Sequence, residues 1–218
     1  MHEDYASDPG DDEYIGATQR LSISQNKGRL TGRPVHLPKR QVAMSGSDEV
    51  VLEAATSTDA AVLSNLLELY SHDLSEVFEL ELGVNGRFGY EKLPLYWSET
   101  ARRFPFLIHV GARLVGFALV TRGSPASDDP ADFDVAEFFV VRRYRRSGVG
   151  RRAAFLLWNR FPAAWIVRVA EGNQKGLLFW TNVIREYTSG TAVETTHPGS
   201  PHTWRVFSFN SANRCMCS

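Results

Sequence analysis

The chain has 218 residues, 43% hydrophobic and 11% aromatic, which suits one domain with a real core and excludes a wholly disordered chain. Its 24 Lys+Arg nearly balance its 25 Asp+Glu, so no global field selects a polyanionic partner. No apolar run nears the ~20 residues that span a bilayer, and two cysteines, Cys215 and Cys217, exclude a disulfide framework and argue against a cysteine-built zinc site. From the N-terminus, Met1 to Glu13 holds six acids and no Lys or Arg, and Arg20 to Arg40 holds six bases and no acid. With few large apolar residues and turn formers at Gly28, Gly32, Pro34 and Pro38, residues 1–46 are expected to form a disordered or loosely attached extension. The acidic start lacks the basic and apolar segments of a secretory leader, and a reduced, cytoplasmic setting is expected.

From Val50 the pattern changes. Val50 to Ala55 predicts a strand, and Asp59 is placed to cap a helix. Val62, Leu63, Leu66, Leu67, Leu69, Tyr70, Leu74, Val77 and Phe78 recur at helical spacing. Gly83, Asn85, Gly86 and Gly89 break it, and a shorter helix from Leu95 to Phe104 is expected behind Pro94. Phe106 to Val110 and Leu114 to Arg122 predict a hairpin across Gly111-Ala112-Arg113. Asp134 to Val141 predicts a third strand, followed by a basic turn and a helix from Gly148. Ala164 to Val169 predicts a strand, Gln174 to Arg185 a helix, and Thr191 to Thr196 and Thr203 to Phe209 two last strands. The order is β-α-α-β-β-β-α-β-α-β-β, an α/β domain over residues 47–210 with a mixed, mainly antiparallel central sheet flanked by helices, and residues 211–218 as a tail.

The segment Glu137 to Gly150 is the most informative. A strand runs into a basic turn and then a glycine-rich helix start, where unsatisfied N–H groups and the helix dipole favour an anion. Arg142, Arg143, Arg145, Arg146, Arg151 and Arg152 place six guanidinium groups nearby, and Arg binds phosphate bidentately. The Gly-Lys-Ser/Thr ending of a Walker A loop is absent. A GxGxxA dinucleotide pattern is present at Gly148, Gly150 and Ala153, with Glu171 about 20 residues on. That motif sets its glycines directly after the strand, whereas here an Arg-rich stretch intervenes.

The pattern Arg145-Arg146-Ser147-Gly148-Val149-Gly150, behind Glu137-Phe138-Phe139-Val140-Val141, resembles that of the GNAT superfamily of N-acetyltransferases. The downstream run Glu171-Gly172-Asn173 with Phe179-Trp180 resembles the family's second motif. The resemblance spans about Val50 to Phe209. It implies acetyl-CoA as co-substrate. No metal is expected, because His197 and His202, in a turn with Pro198 and Pro201, lack a matching ligand cluster. The N–H groups of Arg145, Arg146, Ser147, Gly148, Val149 and Gly150, with Arg151 beside them, would cradle the pyrophosphate. The strand edge around Phe139, Val140 and Val141 would pair with the pantetheine arm, Asn173 would contact that arm or a nearby backbone group, and Trp180 would flank the thiol.

Acetyl transfer to an amine needs a base, an oxyanion donor and support for the leaving thiolate. Glu137 is the candidate base. The competing reading is an outward-facing strand residue, since Phe138 and Phe139 break strict alternation; the resemblance favours the base. The oxyanion donor would be the N–H of Val140 or its neighbour. Many family members carry Tyr where this chain has Trp180, and an indole cannot protonate a thiolate at neutral pH, so Tyr187 is the alternative acid. On the acceptor side the resemblance points to Tyr70 and Tyr96, with Tyr90 and Trp97 beside them. His72 and Asp73, adjacent on a helix, face different sides and form no dyad. The expected function is transfer from acetyl-CoA to a primary amine of a small molecule within a ternary complex. The alternatives are a protein or peptide acceptor and a non-catalytic acyl-CoA-binding module. Nucleic acid and membrane partners are not expected, and a homodimer would be in keeping with similar proteins.

Overall fold

The computed structural model describes residues 49–212. The expected N-terminal extension and both cysteines lie outside them. The elements are β1 (Val50–Ala54), α1 (Ala60–Phe78), α2 (Leu95–Ser98), β2 (Arg103–Val110), β3 (Arg113–Arg122), β4 (Phe133–Val140), α3 (Val149–Arg160), β5 (Ala164–Ala170), α4 (Gln174–Thr188), β6 (Val193–His197) and β7 (Trp204–Asn210). The strands form one seven-stranded sheet in the order β1-β2-β3-β4-β5-β7-β6. Every neighbouring pair is antiparallel except β4–β5, which is parallel because α3 carries the chain across. Among the described residues, no helix is long and apolar enough to cross a membrane.

The two sheet faces bury different helices. Leu63, Leu66 and Leu67, at i, i+3 and i+4 on α1, pack with Tyr96 against Phe117, Leu119 and Phe139. On the other face Trp158 of α3 and Trp180, Ile184 and Tyr187 of α4 pack on Ala118, Val120, Val135 and Trp165. Side chains alternate between these faces along each strand. Each fully buried Leu or Phe contributes ~1.5–3 kcal/mol.

The register slips once between β3 and β4. Leu119 faces Glu137 while Val120 faces Val135, so Ala136 is an extra residue, a β-bulge. The bulge reverses the alternation. Val135 belongs to the α3/α4 face and Glu137, two residues later, to the α1 face, where Tyr70 of α1 meets it. This is why the apolar pattern of β4 is irregular in sequence.

Two expected elements differ. The helix expected to reach Phe104 is the single turn Leu95–Ser98, because Arg103 and Phe104 pair with Thr121 and Val120 and begin β2 early. Asp59 precedes α1 but makes no bond to its N–H groups. Its carboxylate accepts from the Thr56 N–H at 2.9 Å and closes the turn Ser57–Asp59 instead. Ser211, read as the first tail residue, is 2% exposed. Its N–H donates to the Ala163 carbonyl, and its Oγ accepts from the Ala163 N–H at 3.1 Å.

Candidate active site

β4 and β5 pair only at Phe133↔Trp165 and Asp134↔Ile166, then part. The rest of β4 therefore has an open edge. The N–H of Val141 donates to the Val115 carbonyl at 2.9 Å, so the backbone groups of Val141, and by alternation those of Phe139, face β3. Those of Phe138 and Val140 face the gap. The open edge is thus Phe138 and Val140, and not the Phe139 and Val141 backbone expected from sequence. Phe139 instead contributes its ring, 5% exposed, to the core under α1.

The turn beyond the gap runs through a short 3-10 segment, Arg142–Tyr144, to α3. Arg146 has φ +62 and Gly148 φ +80. The left-handed conformation at Gly148 is one that only glycine adopts cheaply. The first α3 bond runs from Arg152 N–H to the Gly148 carbonyl, leaving the N–H groups of Val149, Gly150 and Arg151 without helical partners. A turn with left-handed residues that ends in such a helix start forms a concavity for an anion. Val149 itself is fully buried, so only its backbone can serve there. Gly150 is packed: a Cβ there would lie 3.1 Å from the Phe179 ring.

The arginines do not all surround that cradle. Asp73 of α1 accepts from Arg142 Nε at 2.9 Å and also pairs with Arg145. Arg145 Nε donates to the Val140 carbonyl at 2.6 Å, and its guanidinium lies over the Phe139 ring. Arg151 pairs with Glu186 of α4 at 2.5 Å. Burial would raise the Asp73 carboxyl, but the bonds from Arg145 and Arg142 prevail and hold it below its usual value. These side chains fix the turn against α1 and α4, while Arg143, Arg146 and Ser147 stay exposed. The cradle is mainly backbone, because Asp73 and Glu186 take three of the guanidinium groups.

Glu137 lies deep among its neighbours yet keeps some open surface. Tyr70 donates to its Oε2 at 2.5 Å and Tyr90 to its Oε1 at 3.0 Å. Burial pushes the carboxyl up from its ordinary value, against the lowering effect of both hydroxyls and of Arg168. Burial and the facing carboxylate also push both tyrosines well up, so they remain protonated donors. Tyr96 is 1% exposed, with Arg103 and Tyr90 the polar side chains beside its hydroxyl. Its hydroxyl too is pushed up by burial and by Glu137.

Sequence reasoning thus placed Glu137, Tyr70 and Tyr96 in one neighbourhood and gave Tyr90 only a covering role. Other residues fall elsewhere. Asn173 caps α4, its Oδ1 accepting from the Gly176 N–H at 2.9 Å. Trp180 is 8% exposed and packs on Phe138, Trp158 and Phe179, so it is a core residue and not an exposed flank for a thiol. Tyr187 is 3% exposed and donates to Asn159 Oδ1 at 2.7 Å. Asn159 lies 11 residues past Gly148, ~16 Å along α3, so Tyr187 belongs to the core at the far end of that helix. His72 is exposed with its ring edge on Phe88, while Asp73 faces the arginines. No cluster of three or more His, Cys, Asp or Glu suits a metal ion among the described residues.

Solved acetyltransferases share this fold. An acetyltransferase from Thermus thermophilus is 18% identical, covering 74% of this chain and 96% of its own, with a TM-score of 0.51. The spermidine N-acetyltransferase from Vibrio cholerae, solved with CoA and spermine, is 13% identical over 75% of this chain and 96% of its own, with a TM-score of 0.52. AAC(6')-Ib, solved with ribostamycin and coenzyme A, is 16% identical over 78% of this chain and 99% of its own, with a TM-score of 0.55. No protein-family model and no curated protein sequence matches. The chain has the fold of these acetyltransferases.

Proposed function

We propose that the protein is an acetyl-CoA-dependent N-acetyltransferase whose acceptor is a primary amine on a small molecule. One observation carries the reading. A buried carboxylate held by two tyrosine hydroxyls stands on β4 three residues before Val140, whose N–H faces the β4–β5 gap. An acyl-CoA suits the residues present, since the gap offers the polar groups of Phe138 and the N–H of Val140, whose carbonyl is taken by Arg145, and the turn at Gly148 offers unpartnered N–H groups. When bound, acetyl-CoA supplies the acyl group as a thioester. The chain's own groups then divide the work. N–H groups from Arg146 to Arg151 hold phosphate, since the Arg145 N–H is donated to the Arg142 carbonyl; Glu137 takes one proton of the attacking ammonium, the Val140 N–H supports the oxyanion, and coenzyme A leaves as the thiol, carrying the second amine proton by way of water. Tyr70 and Tyr90 hold the carboxylate without neutralising it. Spermine and ribostamycin, bound to two of the similar structures, are small amines and support that acceptor class.

The test pairs calorimetry with a thiol-release assay over a panel of amines. The expected result is acetyl-CoA binding and amine-dependent thiol release. Glu137→Gln should lower kcat by about 10²–10⁴ and keep acetyl-CoA affinity. No binding at near-millimolar acetyl-CoA overturns the reading, and binding without turnover on any amine makes the protein an acyl-CoA binder.

A further inference from the structure

Tyr90 reaches Glu137 from an exposed loop of no regular structure, between α1 and α2. A hydroxyl on such a loop keeps its position only if the backbone beside it is tied down. Glu68, on α1 two residues before Tyr70, does this. Its carboxylate accepts the Phe88 N–H at 2.8 Å, the Gly89 N–H at 3.2 Å and Arg87 Nε at 3.1 Å. Arg87 also donates to Ser64 Oγ at 2.6 Å, a second anchor on α1. Gly89, at φ +74, then turns the chain so that Tyr90 comes next. The bonds land on the three residues that precede Tyr90. A carboxylate accepting two backbone N–H groups and a guanidinium is held as the anion. Burial acts to raise Glu68, but the bonds from Phe88, Gly89 and Arg87 prevail and hold it below its usual value.

We propose that Glu68 is a positioning residue: by clamping the Phe88 and Gly89 backbone and the Arg87 side chain to α1 it sets the Tyr90 hydroxyl on Glu137. Glu68 touches neither Glu137 nor a reacting group and acts through Tyr90. Tyr70 and Glu68 leave the same helix, so α1 supplies one Glu137 donor directly and places the other. The inference rests on the reading of Glu137 as the base for its catalytic meaning, but the clamp itself is independent of turnover.

The groups facing Glu137 are Tyr70 from α1, Tyr90 from the loop, Tyr96 from α2, Arg168 from β5 and Asp134 from β4. Losing the Tyr90 bond removes a donor to the carboxylate and raises its midpoint. A hydrogen bond to a charged group is worth enough to move that midpoint by roughly one unit, tenfold in the proton-binding constant.

The experiment follows the Glu137 carboxyl directly, by carbon-13 NMR titration of glutamate-labelled protein, with the resonance assigned by its loss in Glu137→Gln. This readout needs no substrate, so it separates the clamp from the proposed activity. Tyr90→Phe and Glu68→Ala are each expected to raise the midpoint. In the Tyr90→Phe background Glu68→Ala should add nothing, because both act through one hydroxyl. Glu68→Gln keeps an acceptor oxygen and most of the packing, and its shift should be smaller than that of Glu68→Ala. It carries the same test if the alanine variant does not fold. A wild-type midpoint in a folded Glu68 variant, with Tyr90→Phe shifted, overturns the proposal. So does a further shift in the double variant. In the amine-dependent assay, Glu68→Ala should move the acidic limb of the kcat profile upward with little change in acetyl-CoA KM.

Discussion

Gly116→Ala isolates what the open edge requires. Gly116 on β3 faces Val140, and a Cβ built there would stand 2.0 Å from the Phe139 carbonyl oxygen and 3.1 Å from the Val140 Cα. Real Cβ atoms stay beyond about 3.0 Å, so the strands must separate by about 1 Å at that point. The obstruction is backbone in the middle of the sheet, with Val141 tied to Val115 just beyond, so no flexible side chain can yield. Overpacking costs ~1–3 kcal/mol, and this site belongs at the upper end. At ~2–4 °C per kcal/mol for a domain of this size, the melting temperature should fall by ~6–12 °C. The same displacement moves the Val140 N–H, the proposed oxyanion donor. A 1 Å error in such a group costs as much as ~10²-fold in rate. Thermal melts and thiol release on the one variant read both effects. Melting within ~2 °C of wild type with unchanged turnover would refute the reasoning, because β3 and β4 would then have slack at the place where the reading needs them fixed.

Tyr187→Phe should lose the bond to Asn159, cost ~1 kcal/mol in a urea melt, and leave the rate of amine-dependent thiol release unchanged; a tenfold loss of kcat with stability intact would restore Tyr187 as an acid. Asp73 has its folded pKa held below its ordinary 3.8, so its contribution to stability is complete above that pH and fades as pH falls through the folded value. Asp73→Asn should therefore be less stable than wild type at neutral pH and converge with it in strong acid, and equal curves at all pH would show that the two arginine bonds contribute nothing. Glu137 has the opposite sign. Its folded pKa lies above 4.5, so wild-type stability falls as pH rises from 4.5 through the folded value. Urea melts over that range should shift steadily in favour of Glu137→Gln, and a constant difference would show that burial does not raise the carboxyl.

The strand, the Arg turn and the helix start were legible because each rests on local chemistry: an apolar run, a glycine with φ +80 at Gly148, and an unsatisfied helix start. The gap was not legible residue by residue, since which backbone groups it frees depends on the hydrogen-bond phase with β3. That phase is set by Val141 on Val115 and by the bulge at Ala136. The adjacent Phe138 and Phe139 point to opposite faces as any strand neighbours do, and both are apolar because β4 is covered on both faces. Trp180 was misplaced although the signal was present. Trp180, Val183, Ile184 and Tyr187 lie at i, i+3, i+4 and i+7, the stripe of a helix on a core. Tyr90 could not be found locally, being 47 positions from Glu137 and aimed by Glu68 through a loop.

The arrangement of charge around β4 argues that Glu137 is kept reactive and is not merely accommodated. Asp134, three residues earlier on the same strand, is fully buried and fully paired. Arg168 donates to it at 2.8 Å and 3.3 Å, and the Ser124 hydroxyl adds a further bond. That is how a structural carboxylate is buried, with a cation bonded to it. The same Arg168 lowers Glu137 only through space and makes no bond to it. Glu137 receives instead two neutral hydroxyls, which satisfy its oxygens without supplying a charge. Hydroxyl donors fix the carboxylate in place, while the absence of a bonded cation leaves desolvation free to raise its proton affinity. A carboxylate so held has its proton affinity raised by burial while two donors fix its position, which is the combination a general base needs.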